Sequence, residues 1–151
     1  MRLCKALFTA PRPINGKLLA VQLMERMRRR GQLESELRQA IAGEELFLVY
    51  QPTVSLSGGG DVVGFEALLR WRAPDGELRS PVEFIPIAEE SGQIVAIGEW
   101  VLRQSCRQWA CWQRQDAAAA PWGMSVNLSR VQMVLGNRLL GVVRSALNEA
   151  G

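Results

Sequence analysis

Two alternating stretches carry polar side chains where an apolar face is expected. Side chains of a strand point alternately to its two faces. In Val62–Trp71 this sets Val63, Phe65, Ala67, Leu69 and Trp71 on one wholly apolar face that should be buried. Glu66 and Arg70 share the other face with Val62, Gly64 and Leu68. If that face meets solvent, the two are ordinary surface charges. If it is enclosed, Glu66 needs a cation, a hydrogen-bond network or a metal, because an unpaired buried carboxylate is very costly. In Gly123–Ser129, Met124, Val126 and Leu128 oppose a polar stripe of Ser125, Asn127 and Ser129. A parallel strand covered on both sides is normally apolar throughout, so the stripe points to a polar interior site. Ser129 reads as a helix cap. The Asn127 amide oxygen would point with Glu66 into a shared interior, and carboxylate and amide oxygens suit Mg²⁺ or Mn²⁺.

Several chemistries are excluded at once. The 151 residues include no histidine, which removes Ser-His-Asp and Cys-His triads, imidazole bases and His-dependent zinc sites. The three cysteines, Cys4, Cys106 and Cys111, have no metal-ligand spacing and read as reduced thiols of a cytoplasmic protein. No apolar run reaches the roughly 20 residues of a membrane span. Net charge is +3, but it is unevenly placed. Residues 1–30 hold eight basic residues against one acid, and the rest of the chain ten basic against fourteen acidic. The body is therefore slightly acidic, which argues against nucleic-acid binding by the body. The basic arm leaves salt-sensitive contact with a polyanion as an alternative to be tested by its deletion.

The elements that must position these residues are legible as an α/β pattern. Residues 1–16, with Pro11, Pro13 and Gly16, should be irregular. A helix follows from Lys17, with Leu33, Leu37 and Ile41 on one side, weakened or bent at Gly31 and stopped at Gly43. Leu46–Tyr50 and Val62–Trp71 read as strands joined through the Ser57–Asp61 turn, an antiparallel hairpin. Ser80, Pro81 and Glu83 mark a helix start with a capping box, and Gly92 its end. A longer helix carries Ile94, Ile97, Val101, Ser105, Trp109 and Trp112. A third strand, Gly123–Leu128, leads into a Ser129–Gln132 capping box and one amphipathic helix to about Ala150.

Four segments in order carry a resemblance: Tyr50-Gln51-Pro52, Phe65-Glu66-Ala67-Leu68-Leu69-Arg70-Trp71, Glu83 to Gly92, and Ser125-Val126-Asn127-Leu128-Ser129. Together they resemble the successive signatures of EAL-domain cyclic-di-GMP phosphodiesterases, over about Leu33 to Gly151. The resemblance implies a (β/α)8 TIM-type barrel with an antiparallel first strand and its active site at the C-terminal strand ends. It implies that Glu66 and Asn127 bind a catalytic Mg²⁺ or Mn²⁺, that Arg70 contacts substrate phosphate, and that Gln51, Leu68 and Pro86 line the cyclic dinucleotide. Arg130 departs from the small residue usual after this last motif.

A barrel of this kind takes about 250 residues, so the resemblance implies a partial barrel, truncated after the third strand and its helix. The family's later metal-binding Glu, Asp pair and catalytic Lys have no counterparts: Glu149 is the only acid after Asn127, and no lysine occurs beyond Lys17. The expected division is residues 1–31 as a basic arm and connector helix, similar to the tail and connector of a GGDEF domain, and 32–151 as the first half of an EAL domain. Such a chain should lack turnover by itself, and its open sheet edges predict self-association or pairing with a complementary chain. A non-catalytic cyclic-di-GMP signalling or protein-interaction module is the alternative.

Overall fold

The computed structural model describes residues 16–57, 59–115 and 122–151; the expected irregular arm before Gly16 lies outside the described residues. Helix α1 spans Gly16–Ala40 and continues through Gly31 without interruption. Its C-terminal part is anchored, with Leu37 and Ala40 fully buried, whereas Leu19, Leu23, Met24 and Met27 are exposed. The Gly43 amide donates to the Gln39 carbonyl at 2.8 Å, so the helix is closed near the glycine that the sequence nominated.

Strands β1 (Leu46–Val54) and β2 (Val62–Arg72) pair antiparallel. The turn between them holds Gly59 and Gly60 at φ 76° and 96° and is closed by Ser55 N–H to the Asp61 carbonyl at 2.9 Å. The two-residue strand β3 (Leu78–Arg79) turns back on the end of β2, a hairpin too short to show in the alternation. Strand β4 (Gly123–Val126) runs parallel to β2, Gly64 facing Gly123. A Cβ on Gly64 would stand 2.5 Å from the Gly123 carbonyl oxygen, so only glycine permits this approach.

Leu46 faces Trp71, Leu48 faces Leu69, and Ala67 faces Val126. These residues form one sheet face, which packs with Leu37, Phe84, Ile94, Ile97 and Val101 into the core. Trp71 and Phe84 meet edge to face at 5.5 Å, and the buried Trp71 indole keeps its polar end satisfied by donating to Glu45 Oε2 at 3.0 Å. Val63 departs from the expected apolar face: at the entry of the strand it is 48% exposed. A second aromatic group joins Phe65 to Trp112 and Trp122 at 4.8 and 5.4 Å.

Helix α2 covers Pro81–Glu90 and begins, as expected, with proline in its first turn. The expected capping box is absent, for Ser80 makes no side-chain cap bond; Glu83 instead faces Arg29 of α1. Helix α3 covers Ile94–Gln115. The final helix is two pieces, α4 (Arg130–Met133) and α5 (Asn137–Ala150). Gly136, at φ 49°, breaks the run. The Ser129–Gln132 capping box is present in full.

Candidate functional site

The cross-strand register sets Gln51, Glu66 and Ser125 in one row, on the sheet face opposite the core. In this structure that face is open rather than enclosed: Gln51 and Ser125 are exposed and Glu66 is half-buried. Glu66 nevertheless has a specific partner. Asn127, 61 residues away and just past the end of β4, donates through Nδ2 to Glu66 Oε1 at 2.5 Å. The two residues singled out from separate strands thus converge on one point.

Beside them, at the C-terminal end of β2, lies a cleft of about 340 Å³. Leu68 and Arg70 of β2, Ile85 and Glu89 of α2, Gly98 of α3 and Asn127 border it. Arg70 is half-buried. Its Nη1 donates to the Leu69 carbonyl at 2.8 Å, and it has no acidic partner among the described residues. A half-buried guanidinium that faces the cleft and is paired with no carboxylate among the described residues, although Glu89 borders the same cleft, is suited to an anionic ligand, to which it can present a planar fork of donors. Pro86 is not brought into the group. It is exposed on α2, whose wall of the cleft is Pro81, Ile85 and Glu89.

Glu66 and Asn127 fit a hard divalent cation as two of its ligands. An amide's oxygen and nitrogen are distinguished only by their partners. Turning the Asn127 amide would set its oxygen beside the carboxylate, and an octahedral Mg²⁺ ordinarily keeps several waters. Among the described residues no group of three His, Cys, Asp or Glu side chains is placed to hold a metal. Glu89, Gly98 and Gln132 were not singled out by sequence as parts of this site. Gly98 carried a signal, since a glycine inside a helical pattern costs about 1 kcal/mol against Ala and calls for a packing reason.

The EAL domain family model matches residues 34–151. The chain belongs to the EAL domain family. Relatives of this EAL chain include the bifunctional diguanylate cyclase/cyclic di-GMP phosphodiesterase MucR of Pseudomonas aeruginosa, 47% identical over 116 residues, which are 77% of this chain and 16% of the relative. The cyclic di-GMP phosphodiesterase NbdA of the same organism is 38% identical over 138 residues, 91% of this chain and 17% of the relative. Among solved structures, the cyclic-di-GMP complex of the P. aeruginosa MucR phosphodiesterase superposes with a TM-score of 0.71 at 42% identity, covering 79% of this chain and 47% of that one. The FimX EAL domain of P. aeruginosa bound to cyclic-di-GMP gives 0.65 at 29% identity, over 78% of this chain and 45% of that one. The EAL chain therefore spans less than a fifth of these curated relatives and about half of the solved EAL domains, and its α/β architecture is part of a TIM-barrel-like fold. No helix among the described residues is long and apolar enough to cross a membrane.

Proposed function

We propose that this chain supplies the first part of a cyclic-di-GMP phosphodiesterase site, in a (β/α)8 barrel whose antiparallel first strand is β1. Residues 32–151 belong to that domain, and the N-terminal residues to 31 form an arm and connector leading into it. The observation that carries the reading is the Asn127–Glu66 contact beside a half-buried arginine that has no acidic partner among the described residues. Glu66 and Asn127 hold Mg²⁺ or Mn²⁺, which when bound acidifies water and offsets charge on a phosphodiester. Arg70 donates to a phosphate oxygen of the dinucleotide, Leu68 borders the base or sugar in the cleft, and Gln51 contacts the ligand from the sheet row; Pro86, exposed outside the cleft, meets only a ligand that extends past the α2 wall. The free thiols Cys106 and Cys111 suit a reducing, cytoplasmic setting.

Binding without turnover is the second reading, favoured by the single carboxylate that the Glu66–Asn127 pair offers a metal. Calorimetric titration of cyclic-di-GMP with Mg²⁺, paired with an assay for the linear product, separates the two. Arg70→Ala should weaken binding at least about tenfold, the loss of a charge-assisted hydrogen bond worth roughly 1.5–3 kcal/mol. Equal affinity in the variant would remove the phosphate role from Arg70.

A further inference from the structure

We propose that Gln132, seated against Gly98, is the positioning residue that holds Asn127 on Glu66. The inference rests on the reading of Glu66 and Asn127 as metal ligands and says what fixes their geometry. Asn127 is exposed and lies beyond the last residue of β4, so the sheet ladder does not hold it. The segment is held two residues later. The Ser129 N–H donates to Gln132 Oε1 at 3.0 Å, and the Gln132 N–H donates to Ser129 Oγ at 3.3 Å. This reciprocal cap fixes the backbone entering α4, and with it the direction in which Asn127 leaves the strand.

The cap is in turn fixed from below. Gln132 is 4% exposed, a polar side chain buried at the α3–α4 contact. A Cβ on Gly98 would lie 1.7 Å from Gln132 Nε2 and 2.6 Å from its Cδ. No side chain at 98 is compatible with the observed rotamer, so the bare helix surface is the seat that Gln132 occupies. Both residues border the cleft that Asn127 borders. The path therefore runs from α3 through Gln132 to Ser129, then along the backbone through Leu128 to Asn127, and ends on the carboxylate of Glu66. Partners that orient a metal ligand in this way typically change metal affinity by about 10–100-fold when lost.

Four variants of the full chain test this: Gln132→Leu, Gln132→Glu, Gly98→Ala, and the double variant Gly98→Ala/Gln132→Ala, which relieves the overlap without restoring the cap. Two readouts are taken. One is the chemical shift of the Asn127 side-chain amide, with Glu66→Ala supplying its position free of the carboxylate; the other is Mn²⁺ affinity by paramagnetic titration. Gln132→Leu, Gly98→Ala and the double variant should melt cooperatively, shift the Asn127 amide toward its Glu66→Ala position and bind Mn²⁺ about 10–100-fold more weakly. Gln132→Glu keeps the oxygen that accepts from Ser129 and should restore the wild-type shift. An Asn127 amide unmoved in Gln132→Leu would overturn the proposal. If wild type binds no Mn²⁺ while the shifts follow this pattern, the positioning role stands and the metal reading falls.

Discussion

At the scale of residues, the site is a meeting of two side chains whose chemistry depends on charge more than on shape. Glu66 accepts from Asn127, and a glutamine at 66 would still present an oxygen there. Glu66→Gln therefore separates the negative charge from the contact. We expect it to leave the melting free energy within about 0.5 kcal/mol, as for other substitutions that empty no core space. Divalent-metal affinity should fall at least about tenfold, since a neutral amide is a poor substitute for a carboxylate ligand of Mg²⁺ or Mn²⁺. Calorimetric titration with both ions checks this, and undiminished heat of binding would take Glu66 out of the metal site. The Glu45 carboxylate, before β1, accepts from the Trp71 indole instead.

At the scale of elements, the last helix is held to α3 by charge as well as by apolar packing. Arg103 pairs with Glu99 at 3.0 Å and donates to Glu149 of α5, which also lies 3.8 Å from Arg107. The hydrogen bond from Arg103 holds the Glu149 carboxyl below its ordinary value of 4.5; desolvation, the next largest effect, opposes it, and the nearby positive charge of Arg103 and Arg107 adds to the lowering. The folded value lies below the unfolded one, so this clasp contributes fully above pH 4.5 and is lost as pH falls through the lower folded value. The melting midpoint should thus drop on acidification below pH 4.5, and Glu149→Gln should show a shallower drop over the same interval. Parallel midpoint curves for the two proteins would deny the clasp a part in stability. The ionic half of this contact was invisible in the sequence, because Arg103 and Glu149 are 46 residues apart and no local period relates them. What local pattern does specify was legible. The alternation in β2 separated Glu66 and Arg70 from Ala67 and Trp71, and the Ser129–Gln132 spacing marked a cap that the structure contains. The Ser80–Glu83 spacing was equally suggestive and failed, because Glu83 had a competing cation in Arg29 on another element. Likewise the interruption at Gly136 left the amphipathic stripe intact on both sides and so did not disturb the period. The cleft itself depended on where α2 and α3 settle on the sheet, which no spacing within the chain encodes.

At the scale of the whole molecule, the sheet is open. Among the described residues β1 and β4 each pair only with β2, so both outer strands present unpaired backbone donors and acceptors, and only closure removes such edges. Apolar residues are exposed as well: Val54 on β1 is 50% exposed, and Met133, the last residue of α4, and Val134 after it are 61% and 86% exposed. A sheet with two free edges and uncovered aliphatic groups should recruit backbone from another polypeptide, whether a second copy or a chain carrying the complementary strands. The open state has a chemical consequence as well. On the proposed reading Glu66 and Asn127 would offer an ion two ligands, among the described residues no group of three acidic or sulfur ligands is placed to hold a metal, and the sequence contains no lysine beyond position 17. The purified 151-residue polypeptide should accordingly show no cyclic-di-GMP turnover with Mg²⁺ or Mn²⁺, and light scattering should give a mass above the 16.8 kDa of one chain. Adding a chain that carries the remaining strands of an EAL domain should lower the fraction of self-associated material by competing for the same edges. Turnover by the chain alone would mean that a proton acceptor reaches the Glu66–Asn127 pair by a route this fold does not offer. A sharply melting 16.8 kDa monomer would mean that the two edges are satisfied within the chain itself.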